Sequence, residues 1–195
     1  MTLQLTKKHN FDMVFDSQKV FRLILDAMSN PGKAVNIKEY ANKLFGCYPA
    51  LMAVAMTLLD NETGFNVCVN HSLTDEIASL TLAGRENVSD ADFIFVSDLS
   101  YMDYAIENAK CGTLTDPQKS ATVIIMDDSE PVYYMMLSGP GIAGCKELLG
   151  TQTVKDAIAI RDAQCYEYPQ GIDFLFLSDT GGMLAIPRLI RTEVQ

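Results

Sequence analysis

Few side chains in this 195-residue sequence are placed to do chemistry; the most suggestive are an arginine, a carboxylate and a glycine turn. Arg188 follows Pro187 at the end of an apolar run, where a strand is predicted to reach the rim of a sheet. A guanidinium there can grip a carboxylate or phosphate in bidentate fashion, or form a salt bridge to a partner protein. Asp173, after Gly171-Ile172, reads either as a functional carboxylate or as a hydrogen-bond acceptor at a strand end. Ser138-Gly139-Pro140-Gly141-Ile142 follows another apolar run. Gly139 and Gly141 tolerate positive φ and Pro140 pre-sets a tight turn, so backbone N–H groups there can cradle a phosphate. Equally, Pro-Gly can simply turn the chain. Because α/β sheets gather ligand groups at strand ends, Gly139, Pro140, Gly141 and Arg188 are expected to form one site.

Other chemistries find less support. Cys111 precedes a Gly-Thr turn and can be weighed as a nucleophile, but neither His9 nor His71 has a context that pairs with it. The five cysteines, Cys47, Cys68, Cys111, Cys145 and Cys165, are odd in number and widely spaced. That pattern fits reduced, mostly buried thiols, and gives neither a Cys-x-x-Cys pair nor the spacing of a zinc site. Dinucleotide-binding and Walker signatures are absent, as is a Gly-x-Ser-x-Gly elbow. No metal site is expected.

Composition bounds the class. An apolar content of 48% with 21% charge is that of a globular protein, and the length suits one domain over residues 1–195. No apolar segment approaches a membrane span and residues 1–9 lack the core of a signal peptide, so a cytoplasmic location with no membrane partner is expected. The net charge of −10 argues against a nucleic-acid partner, which needs clustered lysine and arginine. An anionic ligand must therefore be met by backbone amides or by one of only five arginines.

The elements follow from periodicity. Residues 121–126 and 132–137 are apolar runs separated by a turn, and are expected to be neighbouring strands of a central sheet. A helix over 16–28, capped by Asp16 or Ser17, should bury Phe21, Ile24, Leu25 and Met28 and leave Arg22 outside. A short strand is predicted over 33–37. The helix predicted over 49–59 is apolar almost all round and should be buried. Further strands are predicted over 65–69, 91–96, 172–177 and 183–188, the last two joined by a hairpin turn at Asp179-Thr180-Gly181-Gly182. Helices opening at Ser72 or Thr74, at Ser100, and at Thr151 or Thr153 complete the set; the last runs to Gln164 with Val154, Ala157, Ile158 and Arg161 spaced along it. Alternating helices and strands predict an α/β three-layer α/β/α sandwich on a mixed sheet.

Several segments in order resemble one family. They are Phe21-Arg22 through Ser29-Asn30-Pro31-Gly32, Leu58 to Thr63, and Gly112-Thr113 through Pro117 to Ser120-Ala121-Thr122; then Leu137 to Ile142, Tyr168-Pro169-Gln170-Gly171-Ile172-Asp173, and Ala185-Ile186-Pro187-Arg188. Their order and spacing are similar to the PhnH family, a subunit of the bacterial carbon–phosphorus lyase system for using phosphonates. The resemblance implies a fold like the large domain of type I pyridoxal-phosphate transferases, a homodimer, and no bound cofactor. It implies work in a core complex with PhnG-, PhnI- and PhnJ-like subunits. That system joins an alkylphosphonate to the ribose of ATP, giving ribose 1-alkylphosphonate 5-triphosphate, before a radical iron–sulfur subunit cuts the carbon–phosphorus bond. PhnH-like chains are required for the first step, whose nucleosidase chemistry is attributed to the PhnI subunit. The candidate ligand or partner site comprises Gly139, Pro140, Gly141, Arg188 and Asp173, with Thr113 and Ser120 from the matched 112–122 segment. An accessory subunit is the favoured reading; a self-sufficient phosphate- or pyridoxal-phosphate-binding transferase is the alternative. Of ten lysines, Lys146 is the best placed for a Schiff base, yet it is expected on an exposed helical turn rather than desolvated. Dimerisation is expected to draw on the apolar 49–59 helix.

Overall fold

The computed structural model describes residues 9–194. Its centre is a run of parallel strands: β2 (Gly64–Val67), β3 (Gly84–Arg85), β4 (Phe93–Val96), β5 (Thr122–Met126) and β8 (Asp173–Leu177). The hairpin at Gly181 returns the chain as β9 (Gly182–Ile186), antiparallel to β8, and β9 carries β1 (Val35–Asn36) on its far side. The seven-stranded order is β1-β9-β8-β5-β4-β2-β3, so the sheet is mixed and mostly parallel. β5 shows why it is central. Val123 and Ile125 enter one core while Ile124 and Met126 enter the other, as a strand buried on both faces requires.

Helices cover both faces. On one lie α1 (Phe15–Ser29), α3 (Pro49–Leu58) and α4 (His71–Thr81), with the single turn α2 (Lys38–Ala41) beside them. On the other lie α5 (Met102–Asn108) and α6 (Gln152–Ala163). Three helix starts are capped by side chains. Asp12 Oδ1 accepts the Val14 and Phe15 N–H groups at 2.8 and 2.9 Å, Asn70 caps α4, and Thr151 Oγ1 accepts the Val154 N–H at 3.1 Å. α3 is buried all round, residues 50–56 being enclosed, as its unbroken apolar sequence predicts.

Five expectations are corrected. The runs at 121–126 and 132–137 do not neighbour each other. The second is β6 (Tyr133–Ser138), the middle of a separate antiparallel sheet with β7 (Cys145–Gly150) and β10 (Arg191–Val194), in the order β10-β6-β7. This sheet lies on the α5–α6 face, where Met135 and Leu137 join the core. α1 buries Val20, Ile24 and Ala27, while Phe21 and Leu25 are 49% and 53% exposed, because its inward stripe is centred one position earlier than expected. α3 is enclosed within the chain and so is not the open dimer surface that was expected, whereas α1 leaves Val14, Phe15, Phe21 and Leu25 exposed. Lys146 sits on β7, half-buried, with Nζ donating to the Pro31 carbonyl at 3.1 Å. The cysteines are not mostly buried either: Cys68 is, whereas Cys47, Cys145 and Cys165 are exposed. Burial pushes the Cys68 thiol up to about 11. Among the described residues no helix is long and apolar enough to cross a membrane. The signal-peptide reading fell mainly on residues 1–8, which lie outside those described.

Candidate functional site

Asp173 opens β8, opposite Thr122 at the start of β5, and Arg188 stands just past the end of antiparallel β9. Both therefore meet at the amino-terminal edge of the parallel strands. The Arg188 N–H donates to Asp173 Oδ1 at 2.8 Å, and the guanidinium Nη1 lies 4.0 Å from Asp173 Oδ2. Nη1 also donates to Ser120 Oγ and to the Pro117 carbonyl, in the loop before β5. Arg188 thus ties together three segments distant in sequence, through its backbone N–H to Asp173 and its guanidinium to the 117–120 loop. Burial pushes the Asp173 carboxyl above its ordinary range, against the pull of the Arg188 N–H and of the Arg188 and Arg161 charges.

The glycine turn reaches the same edge. Gly139, at φ +133°, lies so close to the 189–190 backbone that a Cβ would come 2.8 Å from the Leu189 carbonyl oxygen. Gly141, at φ +84°, presses on the end of α1, where a Cβ would meet the Ser29 carbonyl oxygen at 2.8 Å. The close approach that these glycines permit is to the chain's own backbone. The turn is a structural joint, and forms a wall of two clefts.

Those clefts, of about 430 and 370 Å³, share Pro140, Arg188, Leu189 and Ile190. The smaller extends to Asp173, Gly141 and the end of α1. The larger adds Arg161, Arg191, Tyr168 and Gln170. Gly139, Pro140, Gly141, Asp173 and Arg188 therefore line one continuous region, with Ser120 held behind it by Arg188. Thr113 does not join them. It is exposed, its Oγ1 accepts the Asp116 N–H at 2.9 Å, and it closes its own loop.

Arg161 is the residue that sequence reasoning left without a role. On α6 it occupies the apolar stripe of Val154, Ala157 and Ile158, and it is 3% exposed. Its Nη2 donates to the Ile190 carbonyl at 2.8 Å, Nη1 to that of Pro187 at 3.3 Å, and Nε to Asp162 Oδ1 at 3.0 Å. It holds the 187–190 turn, and so sets where Arg188 begins. The signal was present: an arginine on a core-facing helical stripe needs buried acceptors. Cys111 has Gly112 O and Gln170 Nε2 as its neighbours, at 3.5 and 3.9 Å. His9 instead stacks on Phe45, and His71 opens α4. Tyr166, near Cys111, is raised chiefly by burial. Among the described residues no three of His, Cys, Asp or Glu gather as a metal would require.

Comparison with known proteins adds one finding. The family described as bacterial phosphonate metabolism protein (PhnH) matches residues 9–193, nearly the whole chain. No curated protein sequence matches. The pattern of segments from residue 21 to 188 and this end-to-end match agree: the chain belongs to the PhnH family of bacterial phosphonate metabolism proteins.

Proposed function

We propose that this chain is an accessory subunit of a cytoplasmic carbon–phosphorus lyase core complex. There it acts with PhnG-, PhnI- and PhnJ-like subunits when ribose 1-alkylphosphonate 5-triphosphate is made from ATP and an alkylphosphonate. The observation that carries this reading is the family match over residues 9–193, a span that includes residues of both sheets and of the clefted edge. Two features support a role beside a catalyst rather than as one. Cys111 is flanked by a carbonyl and a glutamine amide, not by a base, and Lys146 donates to a backbone carbonyl. An apolar stripe left open on α1 favours a chain that works against other chains.

In this reading the mostly parallel sheet with helices on both faces is the large-domain fold of type I pyridoxal-phosphate transferases, used without the cofactor, and the isolated chain is a homodimer. Co-expression with PhnG-, PhnI- and PhnJ-like chains should give one co-eluting assembly on gel filtration. A chain that elutes alone from that mixture defeats the proposal. Light scattering checks the dimer: a monomeric mass would remove that part.

A further inference from the structure

Three of the five arginines in a chain of net charge −10 line the larger cleft. Their donors are committed to different degrees. Arg161 has Nε, Nη1 and Nη2 all engaged, and serves the fold. Arg188 spends Nη1 on Ser120 and Pro117, while Nε and Nη2 have no partner among the described residues. Arg191, exposed at the start of β10, has no side-chain hydrogen bond or ion pair among them at all. On the acidic side, Asp162 faces Arg161 at 2.9 Å, and Asp173 is 4.0 Å from Arg188 on the side of the smaller cleft. The larger cleft is left with Arg191, which has no ion pair among the described residues, and with the Nε and Nη2 donors of Arg188, which no described group takes up.

We propose that this cleft is a binding site for a phosphorus oxyanion, the phosphate or phosphonate end of a small molecule, gripped by Arg188 and Arg191. Guanidinium forks match tetrahedral oxyanions through paired charge-assisted hydrogen bonds. A space of about 430 Å³ is in the range of small-molecule pockets and exceeds a bare phosphate, so it also takes an organic remainder. Tyr168, 81% exposed on the lip, and the Gln170 amide are placed to meet that remainder. The choice of phosphorus over a carboxylate rests on the proposed role in phosphonate processing; the anion site itself rests on the arginines.

Calorimetric titration of the full chain with inorganic phosphate, methylphosphonate and ATP tests it, and the arm that binds tightest identifies the source. Saturable binding is expected in at least one arm. Arg191→Ala and Arg188→Lys should each weaken it about tenfold, the scale of one lost charge-assisted contact. Arg22→Ala, which removes the same charge from the exposed side of α1, should leave it unchanged. Absence of saturable binding in all three arms overturns the site, as does equal weakening by Arg22→Ala. Because Arg191 pins no other segment through its side chain, its variant keeps the test valid if Arg188→Lys unfolds. Loss of anion binding with subunit co-elution intact would sink this site alone; loss of co-elution with binding intact would sink the accessory role alone.

Discussion

Arg161 carries a charge into the core, and its worth lies in the carbonyls it satisfies. Arg161→Ala strands the Pro187 and Ile190 carbonyls and empties the space over the Phe174 ring, 5.6 Å from the guanidinium carbon. A loss of about 2–4 kcal/mol is expected, read as a lower urea midpoint. Asp173 and Asp16 should respond to pH with opposite signs. Burial raises the Asp173 pKa, so the folded chain holds that proton more tightly than the unfolded chain. Stability is then lost as pH rises from the ordinary aspartate value through the folded one, and the loss persists above it. Asp173→Asn keeps an acceptor for the Arg188 N–H and ends the titration, so at neutral pH it should match or exceed the parent in urea. A variant clearly weaker at neutral pH would contradict this. At Asp16, burial pushes the carboxyl up, but the Asp12 N–H and Lys43 together pull it lower. That stability is present above the ordinary value and lost as pH falls through the folded one. Asp16→Asn should weaken the chain at neutral pH, and the difference should vanish in acid.

At the scale of elements, α1 makes a prediction of its own. Val14, Phe21 and Leu25 form an open stripe, with Phe15 beside it, while the opposite face is locked onto the core. Phe21→Glu with Leu25→Glu should leave the unfolding free energy from urea titration within ~0.5 kcal/mol of the parent, because neither side chain is buried. In the proposed complex the same pair should abolish co-elution with the partner subunits; retained co-elution would move the contact elsewhere. This helix also shows where sequence reading stops. Its existence followed from periodicity, but two aromatic or aliphatic residues on the open face shifted the expected stripe. β4, β5 and β8 were readable because strands buried on both faces are continuous apolar runs. The small sheet was not. β6 alternates inward Met135 and Leu137 with outward Tyr134 and Met136, and since both sets are apolar the alternation is invisible. β7 reads Cys-Lys-Glu-Leu-Leu-Gly and β10 is half charged, so neither announces a strand; their pairing with β6 decides the matter. Within the site, Arg188 and Asp173 stood out beside proline and glycine. Arg191 and Tyr168 became relevant only once β10 and the 165–171 loop were folded onto the same edge.

Over the whole molecule, the parallel strands wind outward in two directions. β2 leads through α4 to β3, and β4 leads through α5 to β5, with the two helices on opposite faces. Such sheets ordinarily receive ligands past their carboxyl ends. Here the clefts lie at the amino-terminal edge, because the β6–β7 hairpin inserted between β5 and β8 brings its glycine turn to that side. The carboxyl ends lead instead into Asp98, Asp127 and Asp179, a poor reception for an anion. Val35 in β1 pairs with Met183 in β9, and Lys146 reaches Pro31 across 115 residues. Closing loops of that length is entropically costly, and folds dominated by such contacts form slowly. A growing chain can seat α1 against α3 early, but the face that carries Val20, Ile24 and Ala27 is completed only when β9 has been synthesised. The window between those events is when the nascent chain is most exposed to aggregation, and when a chaperone would have most to protect.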